Sequence, residues 1–244
     1  MGFSVFLYFF KNVHFKKFLN IIGCLSPGVF LVFLLLSAPE VLAYKITQND
    51  IKDDPYQNYV LGDVNNKEEN ILLGKLNNFP VLYTFSLNKN ETFNFIIRQP
   101  DLKNVNFNSP QPLTFLVVKK NDKAQFTEVS RIQTEVKDWQ LTKDKKLGLK
   151  MWKISPVELT LEAGTYSLEI SSPDNIGYFQ VIFGKDDDSV GYMKNLQKVI
   201  FIRDFFGYNR LSVLKSQLVY LPIVLIFIIY TTFKIYRYIH RFKT

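Results

Sequence analysis

The sequence predicts a mainly β protein: a single antiparallel β-sandwich or jelly-roll domain outside the cytoplasm, followed by a juxtamembrane amphipathic helix and one C-terminal transmembrane helix. Three observations lead there. Between Tyr44 and Gly184, short runs of β-branched and aromatic residues alternate with polar ones and are punctuated by Asn, Asp, Pro and Gly, as half-buried strands and their turns are. No amphipathic helix of normal length breaks into those runs. The stretch Ser216–Phe233, SQLVYLPIVLIFIIYTTF, carries no charge; with Ile235 and Tyr236 it can cross a hydrocarbon core of ~30 Å at ~1.5 Å per residue.

The charge distribution assigns sides. The 244 residues carry a formal charge of +8, yet residues 44–208 hold 21 Lys+Arg against 21 Asp+Glu. The excess lies in Lys11, Lys16 and Lys17, against Glu40, before the domain, and in six basic residues with no acid from Asn209 onward. Basic residues beside apolar segments follow the positive-inside rule, so nucleic acid is not an expected partner.

Residues 1–43 read as a signal peptide or signal anchor. Lys11, Lys16 and Lys17 stand in the n-region, Val29–Leu36 is the apolar stretch, and Val41, Leu42 and Ala43 precede a cleavage point before Tyr44. Phe18–Leu36 is long enough that an uncleaved anchor is the alternative. Both place the following domain across the membrane. Ile21, Ile22 and Gly23 before Cys24 loosely match a lipobox, but Leu25–Leu36 stays apolar where a lipoprotein turns polar. Phe6 stands where a myristoylation motif needs Ser or Thr.

Within 44–184, strands are expected at Asn70–Leu73, Val81–Leu87, Thr92–Arg98, Leu113–Lys119, Met151–Ile154 and Val157–Leu161. Ser130–Trp139 suggests a further strand pair, and Thr142–Lys150 a solvated, lysine-rich loop. Tyr166, Leu168 and Ile170 alternate with Ser167, Glu169 and Ser171; Ser172, Pro173, Asp174 and Asn175 make a turn, and Tyr178–Phe183 is expected to pair back as a hairpin. About eight strands fit a sandwich. The segment from Leu161 to Gly184, LEAGTYSLEISSPDNIGYFQVIFG, resembles the closing hairpin of bacterial pre-peptidase C-terminal domains. That resemblance implies an accessory domain for secretion or for carbohydrate or protein contact, without catalysis of its own.

Residue types narrow the chemistry. Both histidines, His14 and His240, and the single Cys24 flank the domain, which removes Ser-His-Asp and Cys-His catalysis, disulfides, and zinc bound by Cys or His. Asp186, Asp187 and Asp188, and Asp50, Asp53 and Asp54, are weak candidates for calcium, since adjacent aspartates point in different directions. Glu158 and Glu169 are expected on exposed strand faces. Trp139 and Trp152 suit a core or a sugar-stacking face. Asn90-Glu91-Thr92 is a glycosylation sequon.

Residues 185–214 are expected to form a juxtamembrane amphipathic helix that lies at the lipid interface or, as the alternative, packs against the sandwich. Val190, Met193, Leu196, Ile200 and Phe205 recur near helical spacing, and Tyr192, Lys194, Lys198, Phe201, Arg203, Phe206 and Tyr208 are expected at the lipid interface. After Ser216–Phe233, Lys234, Arg237, His240, Arg241 and Lys243 make a basic cytoplasmic end; the transmembrane helix is expected over 215–236 and the tail over 237–244. The expected function is a membrane-anchored, non-enzymatic module that binds an envelope protein or a glycan. A carboxylate- or calcium-dependent hydrolase and a small subunit of a membrane complex are the alternatives.

Overall fold

The computed structural model describes residues 44–48, 58–102, 110–121, 125–185 and 191–241. The N-terminal segment 1–43 and the two aspartate clusters lie outside them. The described residues form twelve strands: β1 (Tyr44–Gln48), β2 (Asn58–Asp63), β3 (Glu69–Asn77), β4 (Val81–Leu87), β5 (Glu91–Pro100), β6 (Thr114–Lys120), β7 (Phe126–Gln133), β8 (Gln140–Asp144), β9 (Leu149–Lys153), β10 (Val157–Leu161), β11 (Gly164–Ser171) and β12 (Ile176–Phe183). Short 3-10 helices η1 (Val136–Asp138) and η2 (Arg210–Lys215) and the helices α1 (Tyr192–Phe205) and α2 (Gln217–Arg241) complete the order.

The strands form two sheets. One has five strands in the order β2-β4-β11-β6-β7; the other has seven, β1-β3-β12-β5-β9-β8, with β10 also paired to β5. The sandwich is therefore mainly β as expected, but the sheets are mixed. β1 runs parallel to β3 and β2 parallel to β4.

Inward side chains of both sheets build the core. Strict alternation in β4 sends Val81, Tyr83, Phe85 and Leu87 inward, and in β11 it does the same for Tyr166, Leu168 and Ile170. Phe183 sits amid aromatic rings, with centroids 6.4 Å from Phe85, 5.8 Å from Phe93 and 5.3 Å from Phe95. Gly74 is required by a close approach: a Cβ there would meet the Phe179 ring at 1.9 Å. Both tryptophans belong to this core, Trp139 buried and Trp152 packed against it.

Two strands are buried on both faces. β3 turns Leu72 and Leu76 into the sandwich, while Ile71 and Leu73 face outward into a second apolar cluster with Leu147, Leu149, Met151, Ile182, Val199, Ile202 and Phe206. Helix α1 supplies Val199 and Ile202, so the seven-stranded sheet is covered on its outer side by the chain's own helix. A covered sheet needs apolar residues on both faces, which is why Asn70–Leu73 and Tyr178–Phe183 read as continuous runs.

Three local expectations are corrected. β11 and β12 do not pair: β11 lies between β4 and β6, and β12 between β3 and β5. The Ser172–Asn175 turn, closed by Asn175 N–H to the Ser172 carbonyl at 3.1 Å, is an arch from one sheet to the other. The physical reason is burial: β11 hides one face and β12 both, so they belong to different sheets. Thr142–Lys150 is likewise no free loop but the core of the β8–β9 hairpin, with Asp144 opposite Leu149. Its lysines are exposed, whereas Leu147 and Leu149 are buried. The Ser130–Trp139 pair resolves into the end of β7, which pairs with β6, and η1.

Tyr83 yields a pH test. It is fully buried, its hydroxyl has no hydrogen-bond partner, and burial pushes that hydroxyl well above the ordinary tyrosine range. The folded state therefore keeps this proton when the unfolded chain, titrating near ~10, has lost it, and stability falls as pH rises above that point by about 1.4 kcal/mol per pH unit. Tyr83→Phe is expected to reduce this alkaline slope. At neutral pH it should be neutral or stabilising by about 1 kcal/mol, because an unpaired buried hydroxyl is removed. Urea unfolding at pH 7 and pH 11 measures both effects.

The chain divides into two compact units: one contains the sandwich with 194–221, the other includes the rest of α2 from Pro222. Gln217–His240 is long and apolar enough to cross a membrane. Within the second unit, Thr231 returns its hydroxyl to the Phe227 carbonyl at 3.0 Å, which satisfies it in an apolar stretch, and the Arg237 guanidinium lies 4.9 Å from the Phe233 ring centroid.

Candidate functional site

Four pieces of chain in the first unit converge on the outer side of the seven-stranded sheet: the C-terminal half of α1, η2, the β8–β9 turn and the first turn of α2. Met193, Lys194, Leu196, Gln197 and Lys198 are good helix formers and open α1. Gly207 closes it with φ +72°, and the Tyr208 N–H reaches the Arg203 carbonyl at 3.0 Å while Gly207 N–H reaches Asp204 at 3.0 Å. This is the Schellman arrangement, in which a left-handed residue satisfies the last carbonyls.

Arg203 is the pin of the assembly. It is 2% exposed; its Nη1 donates to the Leu147 carbonyl in the β8–β9 turn, its Nη2 donates to the Ser212 hydroxyl in η2, and its guanidinium lies 5.6 Å from the Tyr208 ring centroid. Its Nε has no partner, and among the described residues no carboxylate pairs with it. Burial pushes its pKa below the ordinary arginine value, yet a guanidinium stays charged. The neighbouring Asp204 pairs with Arg210 at 3.5 Å. Tyr208, whose hydroxyl burial pushes upward, donates to the Asp101 carbonyl at 3.3 Å.

A second set of bonds fixes the approach to α2. Ser216 is fully buried, and its hydroxyl donates to the Lys146 carbonyl. Gln217 N–H donates to the Lys145 carbonyl at 2.9 Å. Gly148, with φ +67°, lets the turn approach: a Cβ there would meet the Lys215 carbonyl and the Ser216 nitrogen, both backbone, at 2.5 Å. The turn itself is closed by Gly148 N–H to the Asp144 carbonyl and Leu147 N–H to Asp144 Oδ1, each at 2.8 Å.

The residues expected at a lipid interface are thus divided. Arg203 and Phe206 are corrected to interior positions, because the buried stripe of α1 runs through Val199 and Ile202 to Phe206 just past its end, rather than through Leu196 and Ile200. Phe206 and Phe205 pack edge-on to Tyr178 at 6.0 Å and 5.9 Å. Lys198 is half-buried and ion-paired with buried Glu69 of β3. Lys194 and Tyr208 are half-buried; Tyr192, Phe201, Lys234 and Arg237 are exposed, and Arg241 ends α2. Glu158 is exposed on β10 and Glu169 half-buried on β11, in different sheets, so no carboxylate pair forms from them. Asp186, Asp187 and Asp188 lie outside the described residues, and among the described ones no cluster of three His, Cys, Asp or Glu is placed to hold a metal.

Missing from the sequence reading are Leu211, Leu214, Lys145 and Lys215. The signal for them was present: two leucines three apart, bounded by Arg210 and Lys215, directly ahead of the apolar helix.

A mainly β sandwich with one apolar C-terminal helix is the class that this fold defines. Comparisons with known protein families and with curated proteins return no match. Among solved structures, the chain is similar to the pre-peptidase C-terminal domain of a Bacillus anthracis collagenase, with 12% identity and a TM-score of 0.32 over 55% of this chain and 98% of that one. It is also similar to the Yersinia pseudotuberculosis-derived mitogen, with 8% identity and a TM-score of 0.32 over 50% and 89% of the two chains.

Proposed function

We propose that this protein is a membrane-anchored, non-enzymatic binding module whose sandwich lies outside the cytoplasm and receives an envelope protein along the five-stranded sheet. The uneven cover of the two sheets carries this reading. The seven-stranded sheet is closed off by α1, whereas among the described residues β7 is an open edge of its partner sheet, with Phe126 63% and Val129 40% exposed. Nearby, Val136 of η1 is exposed as well. An open edge offers unpaired backbone to an added strand, and flanking apolar side chains supply the burial. A register shift at Val117/Val118 and the Glu128–Arg131 ion pair at 2.8 Å guard the same edge against pairing with itself. The orientation is supported by the basic residues after the span and the neutral domain before it.

A photo-reactive residue at position 126 is expected to give one discrete protein adduct in native membranes. The same probe at position 60, on the opposite edge strand and 76% exposed, is the control. Equal labelling from both positions overturns the assignment of β7, and an adduct that is a glycan replaces the protein partner with a carbohydrate.

A further inference from the structure

We infer that η2 and the β8–β9 turn form a phospholipid-docking surface, with Leu211 and Leu214 entering the outer edge of the bilayer and Lys145, Arg210 and Lys215 meeting anionic headgroup phosphates. The inference rests on the reading of α2 as a membrane span.

The two leucines are held outward. Leu211 is 76% and Leu214 53% exposed, and in a 3-10 helix residues three apart eclipse one another, so both stand on one face. The opposite face is fixed by contacts already described: Ser212 to Arg203, Val213 against the second apolar cluster, and buried Ser216 to the Lys146 carbonyl. Asn209 caps the segment by accepting Leu211 N–H at 2.9 Å. With these bonds in place η2 cannot roll to hide its leucines, so their exposure is built into the fold.

Chain length identifies what covers them. Gln217, the first residue of the apolar helix, follows Leu214 by three residues and Leu211 by six. Within η2 the rise is ~2 Å per residue and past its end, where Ser216 is extended, up to ~3.5 Å, so these lie no more than about 9 Å and about 15 Å from it along the chain. The headgroup zone outside the hydrocarbon is about 5–8 Å deep on each side. A span that begins at Gln217 therefore holds Leu214 at the margin of that zone, and with η2 lying along the membrane surface Leu211 reaches it too.

Charge complements the apolar pair. Arg210 and Lys215 bracket the leucines and are exposed, and Lys145 and Lys146 are exposed in the turn whose carbonyls bond Gln217 and Ser216. Lys143 and Lys150 are exposed in the same hairpin. Of the nearby carboxylates, Asp144 pairs with Arg98 at 2.8 Å and Asp204 with Arg210 at 3.5 Å. The buried Arg203 adds a charge that no carboxylate among the described residues offsets. The surface is apolar at its centre with basic residues at its margin, the pattern of an interfacial lipid contact.

The test uses the full chain in a Cys24→Ser background, carrying an environment-sensitive fluorophore at Leu214→Cys, Phe126→Cys or Ile228→Cys, in vesicles with nitroxide-labelled lipids. Ile228→Cys reads the span and is expected to be quenched by a deep nitroxide. Leu214→Cys is expected to be quenched by a shallow nitroxide about threefold more than Phe126→Cys, and Lys145→Glu with Lys215→Glu to lower that quenching about twofold in phosphatidylglycerol vesicles but not in phosphatidylcholine alone. Quenching at Ile228→Cys with none beyond the Phe126→Cys level at Leu214→Cys overturns lipid docking and leaves the span standing. No quenching at Ile228→Cys overturns the span, and the docking surface with it. Quenching at Leu214→Cys that ignores both lipid charge and the glutamate substitutions overturns the anionic headgroup as ligand.

Discussion

Replacing Phe183 by alanine is expected to lower the stability of the sandwich by about 3–5 kcal/mol, the largest effect of any single side chain considered. Phe183 is 2% exposed and touches rings contributed by β4 and β5, so its removal opens a cavity bordered by both sheets. Neighbouring rings cannot collapse into the gap: Phe85 is stacked on Tyr166 at 5.6 Å, and Phe93 is held beside Phe95 at 6.1 Å. Chemical denaturation of the full chain in detergent, followed by tryptophan emission from Trp139 and Trp152, reads the loss. A cost under about 1 kcal/mol would mean that the two sheets do not share one core.

Gly148→Val is expected to act locally and strongly. A branched residue at positive φ costs about 1–2 kcal/mol in backbone strain, and overpacking typically adds 1–3 kcal/mol more. Here the obstacle is the backbone of Lys215 and Ser216, which no side-chain rotation relieves. The turn must lift away, breaking the Lys145–Gln217 and Lys146–Ser216 bonds. Hydrogen exchange is the decisive measurement: the Gln217 amide should lose protection while that of Val181, in central strand β12, keeps it. Unchanged exchange at Gln217 would show that the turn does not hold this segment.

These two sites differ in how far the sequence reveals them. The alternation Tyr166, Leu168, Ile170 and the apolar run ending at Phe183 are visible as strands because local pattern follows burial. The same run, apolar on both faces, also carried the information that a further layer covers that sheet. Adjacency in sequence and a turn at Ser172–Asn175 favour a hairpin instead. Sheet assignment depends on long-range partners, Tyr83 and Val117 for Leu168 and Leu72 and Ile97 for Val181, which no local window contains.

The approach to the membrane was legible in kind and misplaced in detail. α1 carries apolar residues around much of its circumference, so spacing alone did not decide between Leu196–Ile200 and Val199–Ile202–Phe206 as the inward stripe. Burial of Arg203 lay beyond any rule of composition, because a guanidinium is satisfied there by a carbonyl, a hydroxyl and a ring. Gly148 within a lysine-rich stretch marked the turn, but what it makes room for lies some seventy residues further along the chain.

The placement of β11 and β12 at the centre of the two sheets sets the order of events during synthesis. A chain made from its N-terminus has β1–β6 available early, yet β3 and β5 have no shared neighbour until β12 arrives, and β4 and β6 none until β11 does. Up to Gly164 the nascent domain therefore holds only unjoined halves of each sheet, with unpaired strand edges open to other chains. Closure comes with the last two strands, shortly before the apolar helix is made. A ribosome-stalled chain ending before β11 should need a holding partner, and one extended past Phe183 should not.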